Sequence, residues 1–302
     1  MKVFVTGGTG FVGTLVTRHL LAQGYEVTVL TRSMSRAAHM PEGAVLIEGD
    51  PTEKGAWQKE VSEHEVIINL AGSSIFTRWT KSARQRLRES RLKTTRNLVE
   101  ALAQRRGQET LLLSTSAVGY YGFRGDEILD ENSAGGDDFL AILARDWEKE
   151  AFRAKQLGVR VVACRFGTVL GKGGGALDKM VKPFRMGLGA RFGKGTQWFS
   201  WIHQQDLLSI YSFLIGRKDI SGPINFTAPE PVTNDQLTRT LARVLRKSLY
   251  MPPVPGFMLR LILGEFGSVL LKGQRVLPRR LMSLGFKFQF PTIMEALSDL
   301  LC

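Results

Sequence analysis

Short apolar runs alternate with longer stretches of helical period through the first 165 residues. Val3-Phe4-Val5 opens the series, and comparable runs recur at 26–30, 44–48, 66–70, 110–114 and 160–165. Nearly unbroken Val, Ile and Leu over about five residues is the pattern of a strand buried on both faces, as in parallel sheets. Between these runs the apolar positions fall at helical spacing over 11–23, 52–62, 81–104 and 139–156. Such alternation predicts an α/β fold, a Rossmann-type doubly wound parallel sheet with helices on both faces.

Beyond Gly171 the alternation breaks up. A Gly-rich loop precedes a helix over 176–186, a strand near 198–202, a helix over 205–215 and one more buried strand over 224–227. From Asn234 the pattern is helical, interrupted by Pro252, Pro253 and Pro255, and it ends in an amphipathic helix over 293–301. Residues 1–171 therefore read as a dinucleotide-binding Rossmann domain to which 198–228 return. Residues 172–197 and 229–302 read as a smaller, mostly helical C-terminal cap. Ligands of such sheets bind at the carboxyl ends of the strands, beneath the region the cap would cover.

Composition narrows the setting. Cys164 and Cys302 are the only cysteines, which argues against a disulfide framework and for a reducing, cytoplasmic setting. His19, His39 and His64 lie in separate elements without metal-ligand spacing, so no metal is expected. The most apolar late segment, 257–271, contains Arg260 and Glu265 and is too short and charged to span a bilayer. The start, one Lys followed by a strand and a glycine loop, does not read as a signal peptide.

The net charge of +13 is concentrated in two segments. Residues 78–106 hold ten basic side chains against Glu89 and Glu100, and 239–280 hold nine against Glu265. Such segments attract nucleic acid, anionic membrane or small anions; they also form ordinary solvated helix faces with a few arginines turned to phosphates. No helix-turn-helix or RNA-binding motif accompanies them, so a small-molecule partner is expected rather than nucleic acid or membrane.

The chemistry begins at the first loop, where strand 2–6 runs into Gly7-Gly8-Thr9-Gly10-Phe11-Val12-Gly13 and then a helix. This is the context a dinucleotide fingerprint requires. Gly7 allows the tight turn, Gly10 lets the backbone approach the pyrophosphate, and Gly13 lets the helix pack on the strand, with Thr9, Phe11 and Val12 completing the loop. After the second strand an NAD site needs an acidic residue for the ribose, yet the chain has Thr31-Arg32-Ser33 and no Asp or Glu between Glu26 and Glu42. Arg32 instead suits a 2′-phosphate, which predicts NADP(H). Asp50 is placed either for the adenine amino group or to cap a helix from Thr52. Leu70-Ala71-Gly72 would border the adenosine ribose and nicotinamide side of the cleft.

With Asn69-Leu70-Ala71-Gly72, Ser114-Thr115-Ser116 and Trp201-Ile202-His203-Gln204-Gln205-Asp206 added, the chain resembles the extended short-chain dehydrogenase/reductases, the group of sugar-nucleotide epimerases and dehydratases. Arg78-Trp79-Thr80, Ser90-Arg91, Ala117 to Gly122, Asp146-Trp147-Glu148, Gly173-Gly174-Gly175 and Arg275 to Pro278 resemble its atypical subgroup with a C-terminal domain of unknown function. The resemblance implies the Rossmann fold and an NADP cofactor, and it leaves the substrate undefined. Active members carry a Tyr and, four residues on, a Lys as the proton relay. Here Leu140 and Ala144 occupy those positions, and neither moves a proton.

Ser116 falls at the position of the carbonyl-orienting Ser, with Tyr120 and Tyr121 just beyond it. Ser116 and Tyr120 are the candidate replacements for the lost pair; the plainer alternative makes them strand-end and cleft-wall packing. Arg78 and Arg91 suit cofactor phosphates or an anionic substrate, or belong to the basic face. Trp198, Trp201 and His203 are candidate substrate contacts, the two tryptophans presenting opposite faces of their strand. Two readings stand: an NADP(H)-dependent oxidoreductase or isomerase acting on a small anion beneath the cap, and a non-catalytic NADPH-binding sensor or interaction protein.

Overall fold

The computed structural model describes residues 1–302, all but the side chain of Arg36. Seven strands, β1 (Lys2–Thr6), β2 (Glu26–Thr31), β3 (Val45–Glu48), β4 (Val66–Asn69), β5 (Leu111–Ala117), β6 (Arg160–Phe166) and β7 (Gly222–Phe226), form one sheet. All pairings are parallel, in the order β3-β2-β1-β4-β5-β6-β7. The order reverses between β1 and β4, which opens a crevice at their carboxyl ends.

Strand parity assigns each face its layer. Val3 and Val5 of β1 point to the core shared with α1 (Phe11–Ala22) and α6 (Gln204–Gly216), while Phe4 points to the other core. That second layer holds α2 (Trp57–Val61), α3 (Lys81–Leu102) and α4 (Phe139–Phe152). α4 starts at Asp138, whose Oδ1 accepts from the Leu140 and Ala141 amides. In α3, Arg88 meets Asp146 and Arg96 meets Glu150 on α4, so part of this basic segment is an ion-paired helix face.

Two helices are shorter than their apolar period suggests. Asp50 Oδ1 accepts from Thr52 N (2.8 Å) and Thr52 Oγ1 (2.7 Å), closing a turn there and delaying α2 to Trp57. After Phe152 the chain tightens into a 3₁₀ turn over Arg153–Leu157, ending at the left-handed Gly158.

The remaining helices are α5 (Gly175–Arg185), α7 (Asn234–Val244), α8 (Gly256–Leu263), α9 (Glu265–Val269), α10 (Arg279–Ser283) and α11 (Ile293–Leu301). The expected strand near 198–202 is interrupted at Ser200: Trp198–Phe199 pairs antiparallel with Val232–Thr233, and Trp201–His203 runs parallel to Thr168–Leu170. Helices α5, α7 and α11 close a core of their own around Trp201, Leu237 and Leu297. The chain then returns to the sheet edge, where Leu281 is buried in the main core and Arg280 Nη1 donates to Pro223 O (2.6 Å). Among the described residues no helix is long and apolar enough to cross a membrane.

Candidate functional site

The glycine loop occupies the crevice end of β1. Gly7 has φ +70°, and a Cβ there would lie 2.7 Å from the Leu70 carbonyl carbon. A Cβ on Gly13 would lie 2.3 Å from Gly7 O, so α1 packs on the loop only because that position is bare. Gly8 is equally constrained, 2.5 Å from Val29 Cγ1, a role invisible in the motif alone. Gly10 differs: its Cβ would meet only Gly7 O, at 3.3 Å. That contact is tight but single, and, chain neighbours aside, no other heavy atom lies within 4 Å of the Cβ position. α1 starts at Gly10 with no side-chain cap and no acidic residue in its first turn, leaving its amide end to an anion. Phe11 packs against Gly171, Gly174 and Gly175, tying the loop to the start of the cap, and Val12 packs on the core.

At the end of β2, Thr31 is buried and its Oγ1 donates to Ser33 O (3.0 Å). Arg32 follows, exposed, with no hydrogen bond or ion pair among the described residues. Asp50 has one carboxylate oxygen engaged by Thr52. Leu70 and Ala71 border Gly7, and a Cβ on Gly72 would lie 3.2 Å from the Arg91 guanidinium carbon. Arg91 donates to Leu87 O and Ser73 O, both at 3.0 Å, and lies over the Trp147 ring. Burial without a carboxylate partner pulls its guanidinium down to about 10. It props the 72–73 loop. Arg78 is exposed beside Gly264, at the junction of α8 and α9.

At the end of β5 lies a buried polar network. Register aligns Ser116 with Arg165 on β6, and Arg165 with Asn225 on β7. Ser116 Oγ donates to Glu148 Oε1 at 2.6 Å. Arg165 grips the same carboxylate as a fork, Nε to Oε1 at 2.8 Å and Nη2 to Oε2 at 2.9 Å. Its Nη1 donates to Tyr121 OH (3.0 Å), which donates to Asn225 Oδ1 (2.7 Å). Asn225 N reaches Glu131 Oε1 (3.0 Å), and Arg280 N reaches Glu131 Oε2 (3.2 Å). The Tyr120 ring covers Arg165, 3.5 Å from centroid to guanidinium carbon.

This network sets what each hydroxyl can do. Ser116 is 1% exposed and its proton is directed to Glu148. Tyr121 is wholly buried, which pushes its phenol up to about 12. Tyr120 alone of the three has no hydrogen-bond partner for its hydroxyl among the described residues. Leu140 packs on Gly119 and Ala144 is buried, so at these two positions α4 offers only hydrocarbon. Glu148 stands one helical turn beyond Ala144, and Arg165 follows the buried apolar run Val161–Cys164. Sequence marks them separately, Glu148 in the segment Asp146-Trp147-Glu148 and Arg165 as a charge within a buried strand, and neither signal points to the other.

The three residues expected at the substrate separate. Trp198 lines a cavity, donates its Nε1 to Asp126 (2.7 Å) and carries Arg275 over its ring. Trp201 is 0% exposed in the cap core, its Nε1 donating to Glu230 O. His203 is 1% exposed, stacked on Phe290; its Nδ1 accepts from Gln205 N, capping α6, and its Nε2 lies 3.3 Å from Asp299 Oδ2.

Burial lowers His203 from 6.5 to about 4, against the smaller opposing pull of Asp299. The folded state therefore resists a proton that the unfolded chain accepts, so stability is whole above pH 6.5 and declines as pH falls toward 4. His64 and His19 are lowered in the same direction by burial. His203→Asn, which keeps a capping acceptor, should remove roughly 2 kcal/mol of the loss between neutral pH and about pH 4.5. Urea midpoints at the two pH values measure it; parallel losses in both proteins would mean His203 does not titrate there.

The cavity has a volume of about 580 Å³ and lies among α5, α7, α8, α9, strand 198–199 and residues 272–274. It extends to Val118 and Thr168, just beyond β5 and β6. Cap and crevice thus meet at the end of the sheet where a cofactor on the glycine loop would be expected to present its reactive end.

The profile of the NAD dependent epimerase/dehydratase family matches residues 3–226, and that of a domain of unknown function, DUF1731, matches 254–300. The chain is 39% identical over 299 residues to an Arabidopsis thaliana protein named epimerase family protein SDR39U1 homolog, chloroplastic, covering 98% of this chain and 86% of the relative. It is 38% identical to the Bacillus subtilis epimerase family protein YfhF, covering 100% of this chain and 98% of that one. The crystal structure of human epimerase family protein SDR39U1 (isoform 2) with NADPH superposes with a TM-score of 0.86 at 32% identity, covering 99% of both chains. Fold, glycine loop and full-length similarity agree: the chain belongs to the NAD-dependent epimerase/dehydratase family, in the branch that carries the DUF1731 domain.

Proposed function

We propose that the chain binds NADP(H) in the crevice and is an oxidoreductase, or an isomerase working through transient oxidation, on an organic anion held under the cap, in the cytoplasm. The observation that carries this is the pairing of an open, uncapped glycine loop with an unpartnered Arg32 at the end of β2. The residues fit the cofactor: bare Gly7 and Gly13 let the Leu70–Ala71 backbone and α1 pack tightly on the loop, Gly10 lets a phosphate approach it, and the α1 amides answer a pyrophosphate. Arg32 answers a 2′-phosphate through its guanidinium fork. Bound there, NADP(H) supplies a hydride donor or acceptor. The chain's own residues hold the 72–73 loop through Arg91, exclude water with the apolar cavity, and leave Tyr120 as the uncommitted hydroxyl beyond β5.

Wild-type protein should bind NADPH more tightly than NADH, and Arg32→Ala should erase the difference. A charge-assisted hydrogen bond contributes about 1.5–3 kcal/mol, roughly 10- to 100-fold in affinity. Titration of both cofactors into both proteins measures it, and equal affinities in the wild type would refute the assignment of Arg32. The second reading, a non-catalytic NADPH-binding protein, is favoured by Leu140, Ala144 and the engagement of Ser116 with Glu148. NADPH binding without oxidation by any carbonyl of a broad panel would select it. The glycine loop and Arg32 serve either reading.

A further inference from the structure

The cap cavity has walls of an unexpected kind. Met180, Phe184, Phe199, Leu237, Leu263 and Phe266 contribute to a largely hydrocarbon lining. Its polar side chains are mostly committed elsewhere: Gln197 Nε2 donates to Phe192 O and Leu270 O, Asn234 Oδ1 accepts from Phe192 N, and Ser200 Oγ donates to Gln274 O. A sugar would meet few free donors or acceptors there, and burying its hydroxyls unpaired is costly. No Asp, Glu or Arg lines the cavity, and its two charges are Lys179 and Lys272. Neither lysine has a carboxylate partner among the described residues; Lys179 lies over Phe76 (4.5 Å) and Lys272 over Phe123 (5.1 Å).

From this lining we infer that the cavity binds an amphipathic carboxylate, an alkyl or arylalkyl body within the hydrocarbon walls and one anionic end met by Lys179 or Lys272. Apolar burial supplies the affinity and the lysines select the charge. This deepens the function proposed above by naming the class of molecule on which the cofactor would act. It departs from the sugar nucleotides suggested by the wider family, because specificity is set by the site rather than the fold.

Isothermal titration of the full chain with octanoate, nonanoate, decanoate, decanol and UDP-glucose, with and without NADPH, tests it. Affinity for the carboxylates should rise roughly three- to four-fold per methylene, at one molecule per chain. The double variant Lys179→Gln/Lys272→Gln changes two exposed side chains, so it should fold; it should weaken decanoate about tenfold or more and leave decanol unchanged. The outer face of α8 is a competing apolar surface, with Leu261 75% exposed, so Leu261→Ser should leave decanoate affinity unchanged.

Affinity independent of chain length, UDP-glucose binding more tightly than decanoate, or a loss on Leu261→Ser would each overturn the inference. So would a double variant indistinguishable from wild type. NADPH titrations of the same samples report on the crevice separately: failure there with chain-length-dependent binding intact would remove the proposed function and leave the cavity ligand standing.

Discussion

Gly10→Val should abolish measurable NADP(H) binding while the protein stays folded. The Gly10 backbone is extended, with φ −81°, and its Cβ would meet only Gly7 O, at a tight 3.3 Å that a shift of a few tenths of an ångström relieves. Glycine outranks valine at a helix N-cap by less than about 1 kcal/mol. The isopropyl group would instead fill the space through which phosphates reach the α1 amides. Excluding those contacts should weaken NADPH more than about 100-fold, or roughly 2.7 kcal/mol. Gly13→Ala should behave in the opposite way. Its Cβ would lie 2.3 Å from Gly7 O and 2.5 Å from Gly8 Cα, forcing α1 off the loop. Overpacking of that kind costs typically 1–3 kcal/mol, which thermal unfolding reads directly. NADPH titration beside thermal unfolding separates the two effects; wild-type affinity in Gly10→Val would mean that the loop is not the phosphate site.

The contrast between these glycines shows what sequence conveys here. The strand–loop–helix context makes the glycine loop legible, because its spacing is local. It does not show that Gly8 is pinned by Val29 on the neighbouring strand, or that a Cβ on Gly10 would meet only Gly7 O. The seven-stranded sheet is legible for the same local reason, each strand being an apolar run of its own. Cap geometry is less so: Ser200 interrupts the expected strand, leaving Trp198 at the cavity and Trp201 in the cap core. The cavity draws on segments from Ile75 to Gln274, and no window of sequence contains enough of it to reveal its apolar character.

Glu148 and Arg165 are the sharpest instance, seventeen residues apart and joined because α4 packs across β5 and β6, whose register sets Arg165 beside Ser116. Arg165→Met should be among the most damaging single substitutions in the chain. It leaves the Glu148 carboxylate buried, with Ser116 as its remaining side-chain donor, and strips Tyr121 of one of its two polar partners. Breaking a buried pair from one side costs about 3–5 kcal/mol, a large part of a typical total of roughly 5–15 kcal/mol. Glu148→Leu should cost a similar amount by orphaning the guanidinium. Combining them removes both charges together, and the double variant should recover most of the loss, since buried pairs are often no better than hydrocarbon of equal volume. Urea unfolding of the four proteins gives the coupling energy. A double variant as unstable as the sum of the singles would show that the pair is not acting as a unit. Ser116→Ala, which removes one donor to a charged acceptor, should cost about 1.5–3 kcal/mol in the wild type and much less in the charge-free background. A Ser116 effect undiminished there would mean that its hydroxyl serves something other than Glu148, such as a substrate carbonyl in the crevice.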